Sequence, residues 1–168
     1  HMIISEQDRN LIDHVLAHRI RIIPNGVDTG YFHPTQTQPQ ALLSFVGNLS
    51  YDPNIYAVEY IATRVMPLLL TSVKGARLAV FGASPSGRVL SLTSEVVRIH
   101  GWIDDVRQGY ATGQFFIAPM EINTGLQNKL LEAMSMGKLC FTSPLAANAL
   151  GARDGEHLVV CASTMEYV

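Results

Sequence analysis

Cysteine is scarce in this sequence: Cys140 and Cys161 are the only two among 168 residues. Both fall in apolar runs that read as strands, without metal-ligand spacing. That excludes a disulfide scaffold and suits a reducing compartment. Long hydrophobic runs are also missing. The longest, residues 115–120 and 66–70, fall far short of the roughly eighteen residues that a bilayer-spanning helix needs. No secretory leader is read, so the chain is expected in the cytoplasm, with peripheral attachment to the inner membrane left open. His1 ahead of Met2 reads as a cloning remnant, and both are set aside. Charge of either sign is sparse, with 12 Lys and Arg against 14 Asp and Glu and a net charge of −2. Without a basic face a sequence-independent nucleic-acid binder is excluded, whereas a small anion held by one loop is not. An apolar share of 48% excludes a disordered chain, and the length suits one domain.

Several chemical signatures are absent as well. The first apolar run after the break at 34–40 ends in FVGNLSYDPN, which lacks the Gly-x-Gly-x-x-Gly dinucleotide fingerprint. Residues 82–87, GASPSG, have the glycine spacing of a phosphate loop. Arg88 and Val89 then stand where Lys and Ser or Thr belong, which excludes a P-loop hydrolase and leaves only a flexible loop bringing Arg88 to an anion. His14 and His18 are four apart with no third ligand, so they read as a solvated helix face. His100 and His157 lie at strand ends, where a structural role is the default.

What is present is alternation. Residues 3–33 contain an expected helix over 5–18 and a strand over 20–23, stopped by Pro24-Asn25-Gly26. The polar stretch 34–40, with two prolines, reads as a linker. Strands are then expected over 42–46, 78–81, 97–99, 115–118, 139–142 and 157–161. Between them come helices: one capped by Asp52 with Pro53 at its first position, a short one over 88–94, one opened by Asp104 and Asp105, and one over 125–136 ended by Gly137. The strands are apolar throughout, as when helices cover both faces. This pattern predicts an α/β fold with a doubly wound, Rossmann-like parallel sheet, whose ligands sit at the carboxyl ends of the strands.

Residues 120–137, MEINTGLQNKLLEAMSMG, open a helix at that end of the sheet. Gly125 admits close backbone approach, the free amides of a first helical turn attract an anion, and Lys129 adds a full charge. Glu132 lies two turns beyond Gly125 on the same side and suits a ribose diol. Read without context, the same residues also fit an amphipathic helix with Lys129 and Glu132 solvated.

Residues 23–34, IPNGVDTGYFHP, together with 47–54, 101–106 and 125–137, resemble in order and spacing the retaining GT-B glycosyltransferases of family four, or group one. The wording GLQNKLLEAMSMG is similar to sugar transferases of bacterial exopolysaccharide clusters. The resemblance implies that 3–40 are the tail of an acceptor domain plus the interdomain linker. Residues 41–168 would then be the nucleotide-sugar-binding domain, truncated at its C-terminus, and inactive alone. It implies the following roles: Glu132 on the ribose; Gly47, Asn48, Gly125, Leu126, Gln127, Asn128 and Lys129 on the diphosphate; Trp102 and Ile103 on the base. Thr124 stands where the family has its first glutamate, so Glu121 or Asn123 would substitute on the donor sugar. Asn48 and the Asp52-Pro53-Asn54 turn occupy places where many members carry an Arg and a Lys. The nucleotide sugar would be substrate, with no cofactor and no metal. The partner would be a glycan or lipid-linked acceptor on the missing N-terminal domain, and no nucleic acid. Alternatives are a non-catalytic nucleotide-sugar binding module and a GT-B UDP-sugar epimerase. A receiver-like signalling domain is disfavoured, because Gly47-Asn48 and His100-Gly101 stand where it needs acids.

Overall fold

The computed structural model describes residues 2–3, 9, 19–36, 38–122 and 126–168. The expected helix over 5–18, with His14 and His18, lies outside them apart from Arg9. Strands β1 (Met2–Ile3) and β2 (Arg21–Ile22) form a separate parallel pair. Met2, set aside on sequence grounds with His1, therefore pairs with Arg21.

The main sheet has six parallel strands: β3 (Ala41–Val46), β4 (Leu78–Phe81), β5 (Val97–Gly101), β6 (Gly113–Ala118), β7 (Cys140–Thr142) and β8 (Val159–Val160). Their spatial order is β5-β4-β3-β6-β7-β8. Winding starts at β3, runs outward to β5, then returns to β6 on the other side. The gap between the carboxyl ends of β3 and β6 is thus the topological switch point, where such sheets leave a crevice. Phe45, Val80, Phe116 and Ile117 are buried at the centre of the strands.

Helix α1 (Asp52–Tyr60) continues through a π-turn at Ile61–Val65 into α2 (Met66–Ser72). Pro67 has no N–H to donate within the helix, and the widened turn lies just ahead of it. An apolar stripe of Val58, Ile61 and Val65, all fully buried, faces the core and extends to Met66 and Leu69. Tyr51, not Asp52, takes the cap position, placing Pro53 in the second helical position. Helix α3 (Gly87–Leu90) is shorter than expected; Ser86 caps it by accepting from the Val89 amide. Helix α4 (Val106–Thr112) is capped by Asp105, as its acidic start predicts. Helix α5 (Asn128–Ser135) ends before Gly137, whose φ of +71° matches its expected role. Helix α6 (Pro144–Leu150) and a 3-10 turn at Thr164–Tyr167 complete the chain; neither was expected from sequence.

Two hydrogen bonds tie down the strand ends beside the switch point. Thr142 Oγ1 donates to the Ala118 carbonyl at 2.7 Å and Ser143 Oγ to the Met120 carbonyl at 2.6 Å, so the end of β7 holds the end of β6 in place. Gly82, just after β4, has a φ of +150°, and a Cβ there would lie 1.7 Å from the Gly47 carbonyl oxygen. No side chain fits between the ends of β3 and β4 at that point.

Candidate functional site

A cavity of about 410 Å³ opens at the carboxyl ends of β3, β4 and β5. Its walls include Gly47 and Asn48 after β3, Gly82 and Ala83 after β4, Trp102 and Ile103 after β5, and Tyr31 from the segment ahead of the sheet. Four residues singled out in two separate stretches of sequence, Gly47, Asn48, Trp102 and Ile103, therefore share one cavity. Trp102 is 71% exposed, an unusual state for the chain's one tryptophan, and it stands at the rim.

From Asn48 a polar chain leads to α5. The Asn48 carbonyl accepts from Asn54 Nδ2 at 2.8 Å, and Asn54 Oδ1 accepts from the Lys129 ammonium. Asn54 is 4% exposed, so both its polar ends are spent in this bridge. Lys129 Nζ also touches the Met120 sulfur at 3.7 Å and lies 5.1 Å from the centre of the Phe45 ring. Among the described residues no carboxylate lies within ion-pair distance of it. Burial pushes its pKa from 10.5 down to about 8, with the charge of Glu132 opposing that shift. The ammonium is thus held among an amide, a thioether and a ring, all neutral, which favours an incoming anion.

Glu132, one turn further, is half-buried, and its Oε2 accepts from the Tyr110 hydroxyl at 2.5 Å. Burial, followed by the Glu132 charge, pushes the phenol pKa up, so Tyr110 stays a donor. Its ring meets Phe116 at 5.2 Å and Phe32 edge-on at 6.1 Å. Phe32 belongs to the expected interdomain segment, which is docked along α4 and α5. Ser135 Oγ donates to the Phe32 carbonyl at 2.5 Å, Asn25 Nδ2 to Asn128 Oδ1 at 3.0 Å, and the Tyr31 hydroxyl to Asp105 at 3.2 Å. The Arg107 guanidinium lies 4.3 Å from the Tyr31 ring centre and holds the Asp105 carboxyl down at about 2.

Three expectations are corrected here. The α5 helix begins at Asn128, not 125, because Gln127 takes a non-helical conformation (φ −93°, ψ 86°). Free first-turn amides are therefore not those of Leu126 and Gln127. Arg88 is not a mobile anion ligand: Glu59 holds it in a two-pronged ion pair, and it stacks on Tyr56. Lys129 and Glu132 are not freely solvated: both are half-buried, and each is hydrogen-bonded to a buried side chain, Asn54 and Tyr110 respectively. Of the remaining residues, Gln127 is buried, Leu126 half-buried, and Glu121 exposed. Asn123, Thr124 and Gly125 lie outside the described residues. Sequence reading noted Asn54 only as part of a turn, although a polar residue in the first turn after the first strand is itself a signal. Tyr110 carried no signal, being 22 residues from the carboxylate it binds.

Among the described residues no group of three or more His, Cys, Asp or Glu side chains could hold a metal ion. No helix among them is long and apolar enough to cross a membrane. Residues 40–167 match the family model described as glycosyl transferases group 1. No curated protein matches the chain. Among solved structures, TarM (S. aureus) superposes with a TM-score of 0.75 at 13% identity, over 95% of this chain and 32% of that one. Anabaena HepE in complex with UDP and glucose gives 0.74 at 12% identity, over 99% and 50%. Thermosynechococcus elongatus sucrose-phosphate synthase gives 0.70 at 13% identity, over 98% and 46%. These likenesses establish the fold. The chain spans between a third and a half of the length of those proteins.

Proposed function

The chain belongs to the group 1 glycosyl transferases, and from that premise we propose that it is the donor-binding part of an enzyme moving a sugar from a nucleoside diphosphate sugar. The acceptor is a glycan or lipid-linked sugar bound by a separate N-terminal domain, transfer retains the anomeric configuration, and the product serves polysaccharide assembly. The nucleotide sugar is substrate, and the reading assigns no resident cofactor.

One observation carries the donor site. The ammonium of Lys129, largely withdrawn from water, stands at the switch point with only neutral hydrogen-bonding partners, bridged through Asn54 to the cavity wall at Asn48. In this reading the base enters the cavity against Trp102 and Ile103. The diphosphate passes Gly47 and Asn48 to Gly125, Leu126, Gln127, Asn128 and Lys129. The ribose hydroxyls donate to Glu132, whose carboxylate Tyr110 orients. The donor sugar lies toward Glu121, Asn123 and Thr124. When the glycosidic bond to the diphosphate breaks, negative charge grows on the leaving oxygen, and a desolvated ammonium stabilises it more than water would. HepE and TarM have been solved with UDP, which supports a nucleotide donor.

The test is thermal unfolding with UDP, GDP, ADP and their sugars, repeated in Lys129→Ala and Glu132→Ala. A nucleotide at a hundredfold excess over its Kd stabilises by about 2.7 kcal/mol. The expected result is a rise with one base, lost in both variants. A wild-type protein indifferent to every nucleotide refutes the site.

A further inference from the structure

We propose that the donor's base is guanine and that Asp104 reads it. The inference rests on the donor-site reading above and deepens it by naming the nucleotide class.

Two consecutive acids, Asp104 and Asp105, follow Ile103 into α4, and their situations differ. Asp105 is consumed by the fold: it caps α4, accepts from the Tyr31 hydroxyl, and is paired with Arg107 at 2.7 Å. Asp104 lines the cavity and is exposed, and its carboxylate has no hydrogen bond or ion pair among the described residues. No lysine, arginine or histidine lines the cavity to neutralise it. The other walls are mainly apolar or glycine backbone, with Val46, Phe81 and Ile103 among them and Trp102 at the rim. Asn48 and Tyr31 add neutral polar groups, but a flat heterocycle between such walls finds one charged group, and that group is acceptor-only.

The chemistry of the bases then decides. A carboxylate offers two adjacent acceptor oxygens. Guanine presents two adjacent donors on its Watson–Crick edge, N1–H and the amino group at C2, which match them in a two-pronged pair. Uracil has one donor, N3–H, between two carbonyl oxygens, so the second carboxylate oxygen would face an acceptor. Adenine and cytosine each set an amino donor beside a ring-nitrogen acceptor, with the same conflict. A site built around a polar group discriminates against ligands that leave it unpaired. The cavity, about 410 Å³, is in the size range of small-molecule pockets and has room for a purine.

The experiment is calorimetric titration of the chain with GDP, UDP, ADP and xanthosine diphosphate, in wild type and Asp104→Asn. Asp104 is exposed, so the variant is expected to fold, and circular dichroism checks this. The expected result is GDP binding at least tenfold tighter than UDP or ADP. In Asp104→Asn that preference is lost. The variant instead gains affinity for xanthosine diphosphate, because its amide donates to the C2 carbonyl that xanthine carries in place of the amino group. A merely structural Asp104 would not exchange one purine for another. Tightest binding by UDP or ADP, or unchanged GDP affinity in the variant, overturns the guanine assignment and leaves the donor site standing. Failure of every diphosphate to bind folded wild-type protein overturns both.

Discussion

Replacing Lys129 by methionine is expected to make the protein more stable and less able to bind its ligand. Burial holds the ammonium at a pKa of about 8 instead of 10.5, which corresponds to roughly 3 kcal/mol against the charged form at neutral pH. Methionine keeps the unbranched stem and the contacts with Phe45 and Met120 but carries no charge. Against that gain stands the lost hydrogen bond to Asn54 Oδ1, whose acceptor is left unpaired at a cost of about 1–2 kcal/mol. The balance is a stabilisation of roughly 1–2 kcal/mol, or about 2–8 °C in Tm for a domain of this size. The same change deletes the cation assigned to the diphosphate, so stabilisation by the cognate nucleotide should vanish. The assay is a paired melt at pH 7.5 with and without nucleotide. A variant that melts lower than wild type yet binds nucleotide normally would show that Lys129 is an ordinary structural residue, and the electrostatic reasoning would fail.

Three further outcomes follow from the same geometry. Between pH 8 and 10.5 the folded chain has released the Lys129 proton while the unfolded chain keeps it, so this residue adds stability as pH rises. Cys140 and Cys161, pushed up to about 12 and about 11 by burial, give the opposite slope, so the difference between wild type and Lys129→Met isolates the lysine and should shrink with pH across this window; diphosphate affinity should fall as pH passes 8. Tyr110→Phe keeps the ring contacts with Phe32 and Phe116 but frees the Glu132 carboxylate; a loss of about 1–2 kcal/mol in urea unfolding is expected, with weaker discrimination between a nucleoside diphosphate and its 2′-deoxy analogue. Gly82→Ala forces a Cβ onto the Gly47 carbonyl at a φ of +150°, and urea melts should show a loss of about 3 kcal/mol or more, whereas Gly87→Ala, with open space around it, should stay within about 1 kcal/mol.

Local signals carried much of the architecture. The apolar runs at 42–46, 78–81 and 115–118 could only be strands covered on both faces, and they are. The acid before α4 and the glycine after α5 marked helix ends, because capping is decided within one turn of chain. Local signals mislead where a distant group intervenes. Arg88 looked free because Glu59, its partner, is 29 residues away.

For the site, residue type and chain position nominated Lys129 and Glu132, and the family resemblance added Gly47, Asn48, Trp102 and Ile103; each of these follows a strand or lies in the next helix. That is a consequence of parallel winding, which sends every such turn to one end of the sheet. Tertiary structure alone decided their states. Whether Lys129 is a solvated surface charge or a desolvated cation depends on Phe45 from β3, Asn54 from α1 and Met120 from beyond the end of β6. Whether Glu132 is loose or oriented depends on Tyr110, and which of two neighbouring aspartates faces the cavity depends on Arg107 and Tyr31 claiming the other. A sequence states which groups exist and in what order, but solvation and pairing are properties of space, and only the packed sheet sets them.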